Sequence, residues 1–266
     1  MPKFNKKVAE RGVYVLPSLF TTMGLFAGFY SLIASIQGNF ETAAWAILAA
    51  AIFDMLDGRV ARLLHAETDF GAEYDSLCDM LSFGVAPAIL VYFWALVNLG
   101  TDLHRLAWLG AFFLVACAAI RLARFNVKLD VQDKRYFQGL PTPAAALLIA
   151  MAVLFHLDAK IEPLPWLWFF LSSFLAWLMV SNVRFVSGKD LDLKKRQSSS
   201  VLLVMVALVA FLAIDPYRVP FTIILAYCLH GPLMSLWQNR RLAEARKKRK
   251  LRRKANKKDS TDEDPS

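Results

Sequence analysis

Apolar residues gather in long runs separated by short polar stretches. Val13 to Ile36, Met80 to Asn98, Pro141 to Leu157, Pro163 to Val180 and Val219 to Trp237 meet or nearly meet the roughly 17 to 25 residues that cross a bilayer as a helix. Three shorter runs, Thr42 to Leu56, Leu106 to Ile120 and Val201 to Ile214, reach that length when polar residues at their ends lie in the headgroup layer or against protein. The pattern therefore predicts an all-α polytopic membrane bundle of about eight transmembrane helices. The first run is far longer than the roughly 7 to 15 residue core of a signal peptide, so it reads as a retained span.

Composition agrees. Hydrophobic residues make up 57% of the 266 positions and mean hydropathy is +0.41, above the roughly 45 to 50% apolar share of soluble domains. Charge then orients the chain, because short cytoplasmic loops collect Lys and Arg. With both termini cytoplasmic, the inner segments hold 28 of the 31 basic residues, leaving only Arg105, Lys160 and Arg218 outside. This divides the chain into a cytoplasmic N-terminal segment (1–12), a transmembrane catalytic unit (13–239) and a polybasic cytoplasmic tail with an acidic end (240–266). Cys78, Cys117 and Cys228 lie unpaired in apolar stretches and predict buried thiols. His65, His104, His156 and His230 are scattered and form no constellation.

One stretch departs from the apolar background: Asp54, Asp57, Gly58, Ala61, Arg62, Gly71, Asp75 and Asp79. Carboxylates within a membrane helix are costly, roughly 2.5 to 3.5 kcal/mol each at its centre, so something positive must offset them. Asp54 and Asp57 are three apart, Asp75 and Asp79 four apart, so each pair shares a helix face. The short segment from Leu63 to Phe70 joins antiparallel neighbours, bringing the pairs together at the cytoplasmic end. Such an oxygen cluster suits Mg²⁺ or Mn²⁺ shared with a substrate phosphate. Gly58 and Gly71 let a phosphate or nucleotide approach the backbone, and Arg62 is placed to meet a phosphate oxygen. Singly, each residue reads more readily as a helix cap or a packing position than as a ligand. Jointly, D-x2-D-G-x2-A-R-x8-G-x3-D-x3-D fixes eight positions, a far more specific signal.

The segment FDMLDGRVARLLHAETDFGAEYDSLCD, from Phe53 onward, resembles the signature of the CDP-alcohol phosphotransferases at all eight positions. The resemblance implies Asp54, Asp57 and Asp75 as ligands of a divalent metal. Asp79 would be both ligand and catalytic base, and Gly58, Ala61, Arg62, Thr68 and Gly71 would contact the CDP-lipid. It implies attack of an acceptor oxygen on the β-phosphorus with release of CMP, at the cytoplasmic face of the inner membrane, in a homodimer. RLARFNV at Arg121, YFQGLPTPAAA at Tyr136 and RGVYVLPSLFTTMGLFAGFY at Arg11 resemble the phosphatidylserine-synthase branch, implying CDP-diacylglycerol and L-serine as substrates. Pro17-Ser18 departs from the Pro-Asn frequent in the family's first span.

Arg121 and Arg124 are three apart, with Asn126 just after. They either hold the acceptor carboxylate or a phosphate oxygen, or anchor the helix end under the positive-inside rule. Twelve of the nineteen residues from Arg240 to Lys258 are basic, predicting attraction to anionic membrane lipids. No aromatic interleaving accompanies that charge, so nucleic acid is not an expected partner. Two other functions compete: the same chemistry on glycerol 3-phosphate, inositol phosphate or choline, and a cation or proton transporter. The transporter fits poorly, since the aspartates lie toward one face and no matching acidic pair marks an inverted repeat.

Overall fold

The computed structural model describes residues 4–64, 66, 68–128, 136–186 and 214–235. Helix α1 (Phe4–Ile36) reaches back into the segment read as a cytoplasmic lead. It stops at Gly38, whose positive φ of 78° lets Asn39 N–H reach the Ala34 carbonyl at 2.8 Å and Gly38 N–H the Ser35 carbonyl at 3.1 Å. That pair of bonds is the Schellman termination, and only a residue tolerant of left-handed backbone supports it. Helix α2 (Phe40–Leu64) returns along α1. Their seam is built of small residues, Ala27, Ala34, Ala43, Ala44 and Ala50, all buried. Small side chains let the backbones close up, and the Ser31 hydroxyl donates across the seam to the Ala43 carbonyl at 2.9 Å.

The third helix is continuous over Asp69–Trp94 but changes pitch in the middle. Helix α3 (Asp69–Asp79) passes into a π-helical turn, Met80–Val85, and then into α4 (Ala86–Trp94). Pro87 explains the change: it donates no hydrogen bond and its ring clashes with the carbonyl four residues back. A wider turn just before it, with Ala86 N–H bonded to the Leu81 carbonyl, absorbs the conflict. Gly28 of α1 lies so close to this turn that a Cβ there would fall on the Ser82 side chain. The Ser82 hydroxyl in turn donates to the Gly24 carbonyl at 3.1 Å.

Helices α5 (His104–Lys128), α6 (Thr142–Asp158) and α7 (Pro165–Val180) follow, and a further helix spans 218–235. The centre of the core is α6, buried almost without interruption from Ala145 to Leu154. Large apolar side chains such as Phe26, Phe112 and Phe170 face outward, the arrangement expected of a protein in lipid. Three helices are long and apolar enough to cross a membrane, Pro17–Ile36, Asp69–Trp94 and His104–Val127, while Thr142–Asp158 and Pro165–Val180 are shorter apolar helices. Residues 201–213 of the run from Val201, and the polybasic tail, lie outside the described residues.

The described residues are all-α, as expected, apart from one short strand pair. Strands β1 (Tyr136–Gln138) and β2 (Arg184–Val186) pair antiparallel, Phe137 opposite Phe185. Gly139 turns the chain at φ 83° against the Met179 carbonyl, where a side chain would collide. Phe185 is fully buried, and a Cβ at Gly231 on the last helix would strike its ring. Cys78, Cys117 and Cys228 are buried free thiols.

Candidate active site

Two helices supply the acidic residues. Asp54 and Asp57 sit near the end of α2, Asp75 and Asp79 on α3, and the connection between the helices is shorter than the Leu63 to Phe70 segment suggests. Thr68 sets where α3 begins: its hydroxyl accepts from Gly71 N–H at 3.0 Å, a side-chain N-cap. From that start, Asp75 and Asp79 fall on the face turned to α2. Carboxylate oxygens of Asp54, Asp57 and Asp75 lie within 4.8 Å of one another. Asp79 joins them in the lining of one small inner cavity with Thr21, Gly24 and Ser82.

A cluster of like charges in the interior calls for a cation. Asp57 is only 5% exposed, and its Oδ2 is buried without a hydrogen-bond partner. Among the described residues the one ion pair is Arg218–Asp215 at 3.4 Å, which leaves these carboxylates uncompensated by Lys or Arg at that range. Opposed oxygens on one Mg²⁺ sit about 4 Å apart, so oxygens spread over 4.8 Å need only small side-chain rotations to share an ion. The donor set is all oxygen, as a hard divalent cation prefers. Asp54, Asp57 and Asp75 thus fit a divalent metal.

Beside the acidic cluster opens a cleft of about 370 Å³. Pro17, Ser18 and Thr21 of α1 form one wall; Asp57, Gly58 and Ala61 of α2 another; Ala66, Thr68, Asp69, Gly71, Ala72 and Asp75 complete it. Beyond its own stretch of helix, nothing lies within 4 Å of the position a Cβ would occupy at Gly58, so the missing side chain widens the cleft. Arg62 is exposed and donates from Nε to the Gly58 carbonyl at 2.8 Å. Across the mouth, Tyr74 OH and Thr22 Oγ1 are 3.0 Å apart, tying α3 to α1.

The three polar residues of α5 part company. Arg121 Nη1 donates to the Thr142 hydroxyl of α6, and its charge acts on Asp79. Arg124 turns to the end of α7, donating to the Val180 carbonyl at 3.2 Å and to Asn182 Oδ1 at 2.7 Å. Asn126 and Ser76 of α3 exchange hydrogen bonds at 3.0 and 3.2 Å. Ser18, where the sequence departs from the family's Pro-Asn, lines the cleft, and sequence reasoning missed Thr21 one turn further on. It also missed Thr142, for which no local signal exists.

Residues 14–180 match the CDP-alcohol phosphatidyltransferase family. A CDP-diacylglycerol–serine O-phosphatidyltransferase of Helicobacter pylori is 40% identical over 184 residues, 66% of this chain and 74% of the relative. The enzyme of that name from Mycobacterium bovis is 33% identical over 243 residues, 86% of this chain and 81% of its own. An archaetidylserine synthase of Methanothermobacter thermautotrophicus is 37% identical over 151 residues, 55% and 60% of the two chains.

Proposed function

The chain belongs to the CDP-alcohol phosphatidyltransferase family, and we propose that it transfers the phosphatidyl group of CDP-diacylglycerol to L-serine, releasing CMP and forming phosphatidylserine. The observation that carries the chemistry is the convergence of Asp54, Asp57 and Asp75 beside a cleft of nucleotide size. The names of the similar proteins carry the choice of acceptor.

Asp54, Asp57 and Asp75 hold Mg²⁺ or Mn²⁺ in this reading. That ion, when bound, neutralises charge on the diphosphate and stabilises departing CMP. The CDP portion lies in the cleft against Gly58, Ala61, Thr68 and Gly71, with Arg62 toward a phosphate from its exposed position. Asp79 stands in the inner cavity and outside the lining of the large cleft, where it meets an acceptor. It takes the proton of the serine hydroxyl as that oxygen bonds the β-phosphorus. The bond from this phosphorus to the oxygen of CMP breaks, and CMP leaves with the electron pair. Asp79 is therefore the general base.

The distribution of basic residues supports an active site on the cytoplasmic side of an inner membrane crossed eight times, with 13–239 as the catalytic unit. The tail draws the surface toward anionic lipid, and the family resemblance supports a homodimer. The test is CMP release by purified protein given CDP-diacylglycerol, Mg²⁺ or Mn²⁺ and a panel of acceptors. Serine is expected to drive release. Stimulation by glycerol 3-phosphate and not by serine would overturn the assignment.

A further inference from the structure

We propose that Arg121, held in place by Thr142, binds the carboxylate of the acceptor and so selects a hydroxy acid over an uncharged alcohol; the inference rests on the serine-transfer reading above. Three observations converge. First, the Arg121 guanidinium is half-buried with little to satisfy it. Nη1 donates to the Thr142 hydroxyl, while Nε is buried and has no partner. No carboxylate among the described residues lies within ion-pair distance of it, the one such pair being Arg218–Asp215. A half-buried cation whose Nε is enclosed without a partner bears a desolvation cost that an arriving anion offsets.

Second, position distinguishes the two anions the reaction offers, the diphosphate and the acceptor carboxylate. The large cleft is lined from α1, α2, the α2–α3 connection and the start of α3, with no residue of α5 or α6. Arg121 instead acts on Asp79 and on Tyr227 of the last helix. A short acceptor whose hydroxyl meets Asp79 presents its opposite end to Arg121. The planar guanidinium suits a carboxylate in a two-bonded pairing.

Third, the neighbouring candidates are engaged in the scaffold. Arg124 ties α5 to the end of α7, and Asn126 ties it to Ser76 on α3. They act as positioning residues that fix the end of α5. Thr142 is fully buried and fixes the Arg121 side chain from α6.

The experiment uses the full-length protein in detergent or vesicles with CDP-diacylglycerol, divalent metal and either serine or serinamide, whose carboxylate is replaced by an amide. Wild-type enzyme is expected to favour serine in kcat/KM by about 10- to 100-fold, the range of a charge-assisted hydrogen bond. Arg121→Gln should raise the serine KM by a similar factor, erase the preference and leave CDP-diacylglycerol binding within about twofold. Thr142→Val should shift the serine KM in the same direction by less. If wild type releases no CMP with serine, the functional reading itself fails. If it does, equal use of serine and serinamide by wild type overturns the role of Arg121 even should the variants not fold. A serine preference that survives Arg121→Gln overturns it as well.

Discussion

The hydroxyl of Thr68 accepts a hydrogen bond from the backbone N–H of Gly71 at 3.0 Å, and this contact fixes the first turn of the helix that carries Asp75 and Asp79. The same threonine lines the cleft, so its structural role has to be separated from its proposed contact with the CDP-lipid. Thr68→Ala removes the cap and should lower stability by about 1 kcal/mol. Thr68→Ser retains an N-cap oxygen and should restore it. Thermal unfolding in detergent checks the stability. A serine variant as unstable as the alanine variant would show that the cap does not set the start of α3.

Gly58 and Gly28 lie on packed helices and predict opposite outcomes. At Gly58 a methyl group meets open space, so Gly58→Ala should raise helix stability by about 1 kcal/mol while narrowing the cleft and raising the KM for CDP-diacylglycerol. At Gly28 the methyl meets the Ser82 side chain, and Gly28→Ala should destabilise by about 1 to 3 kcal/mol through overpacking of α1 on the π-turn. Parallel unfolding and KM measurements on the two variants test the contrast. A stabilised Gly28→Ala protein would contradict the close approach of the helices.

Asp57 is the cluster residue with a buried, unpartnered carboxylate oxygen. Asp54→Asn and Asp57→Asn should abolish turnover while the protein still inserts in the membrane, and each should weaken Mn²⁺ binding measured by calorimetry on the purified protein. Removal of divalent ions with excess chelator should silence wild type. Full activity in chelator would contradict the metal assignment.

Much of this arrangement was legible in the sequence, for stated reasons. Helical spacing alone put Asp54 with Asp57 and Asp75 with Asp79, and the short connection between their helices left little room for any outcome but convergence. What the sequence concealed depends on distant contacts. Thr21 joins the cleft because α1 packs on α2 through small residues. Thr142 meets Arg121 only once α6 is seated beside α5. The pair Arg121 and Arg124 looked equivalent on one helix end, yet one turn of helix sends the first toward Asp79 and the second toward Asn182. The strand pair joining 136–138 to 184–186 is too short for periodicity to announce. Pro87 was the available signal for the π-turn, since a proline inside a helical run demands some adjustment of the preceding carbonyls.

Four aspartates share one cavity, and their labour should be divided. Asp79 should accept the proton of the acceptor, while Asp54, Asp57 and Asp75 hold metal and, through it, the CDP-lipid. Asp79→Asn keeps the size of the side chain and an oxygen ligand but removes the base. The decisive measurement is CDP-diacylglycerol affinity beside turnover for Asp79→Asn and Asp57→Asn in the presence of Mn²⁺. The predicted result is that Asp79→Asn loses turnover by a factor on the order of 10² to 10⁴ with CDP-lipid binding retained, whereas Asp57→Asn loses the binding itself. Loss of binding in Asp79→Asn as complete as in Asp57→Asn would contradict the account and leave Asp79 a fourth metal ligand.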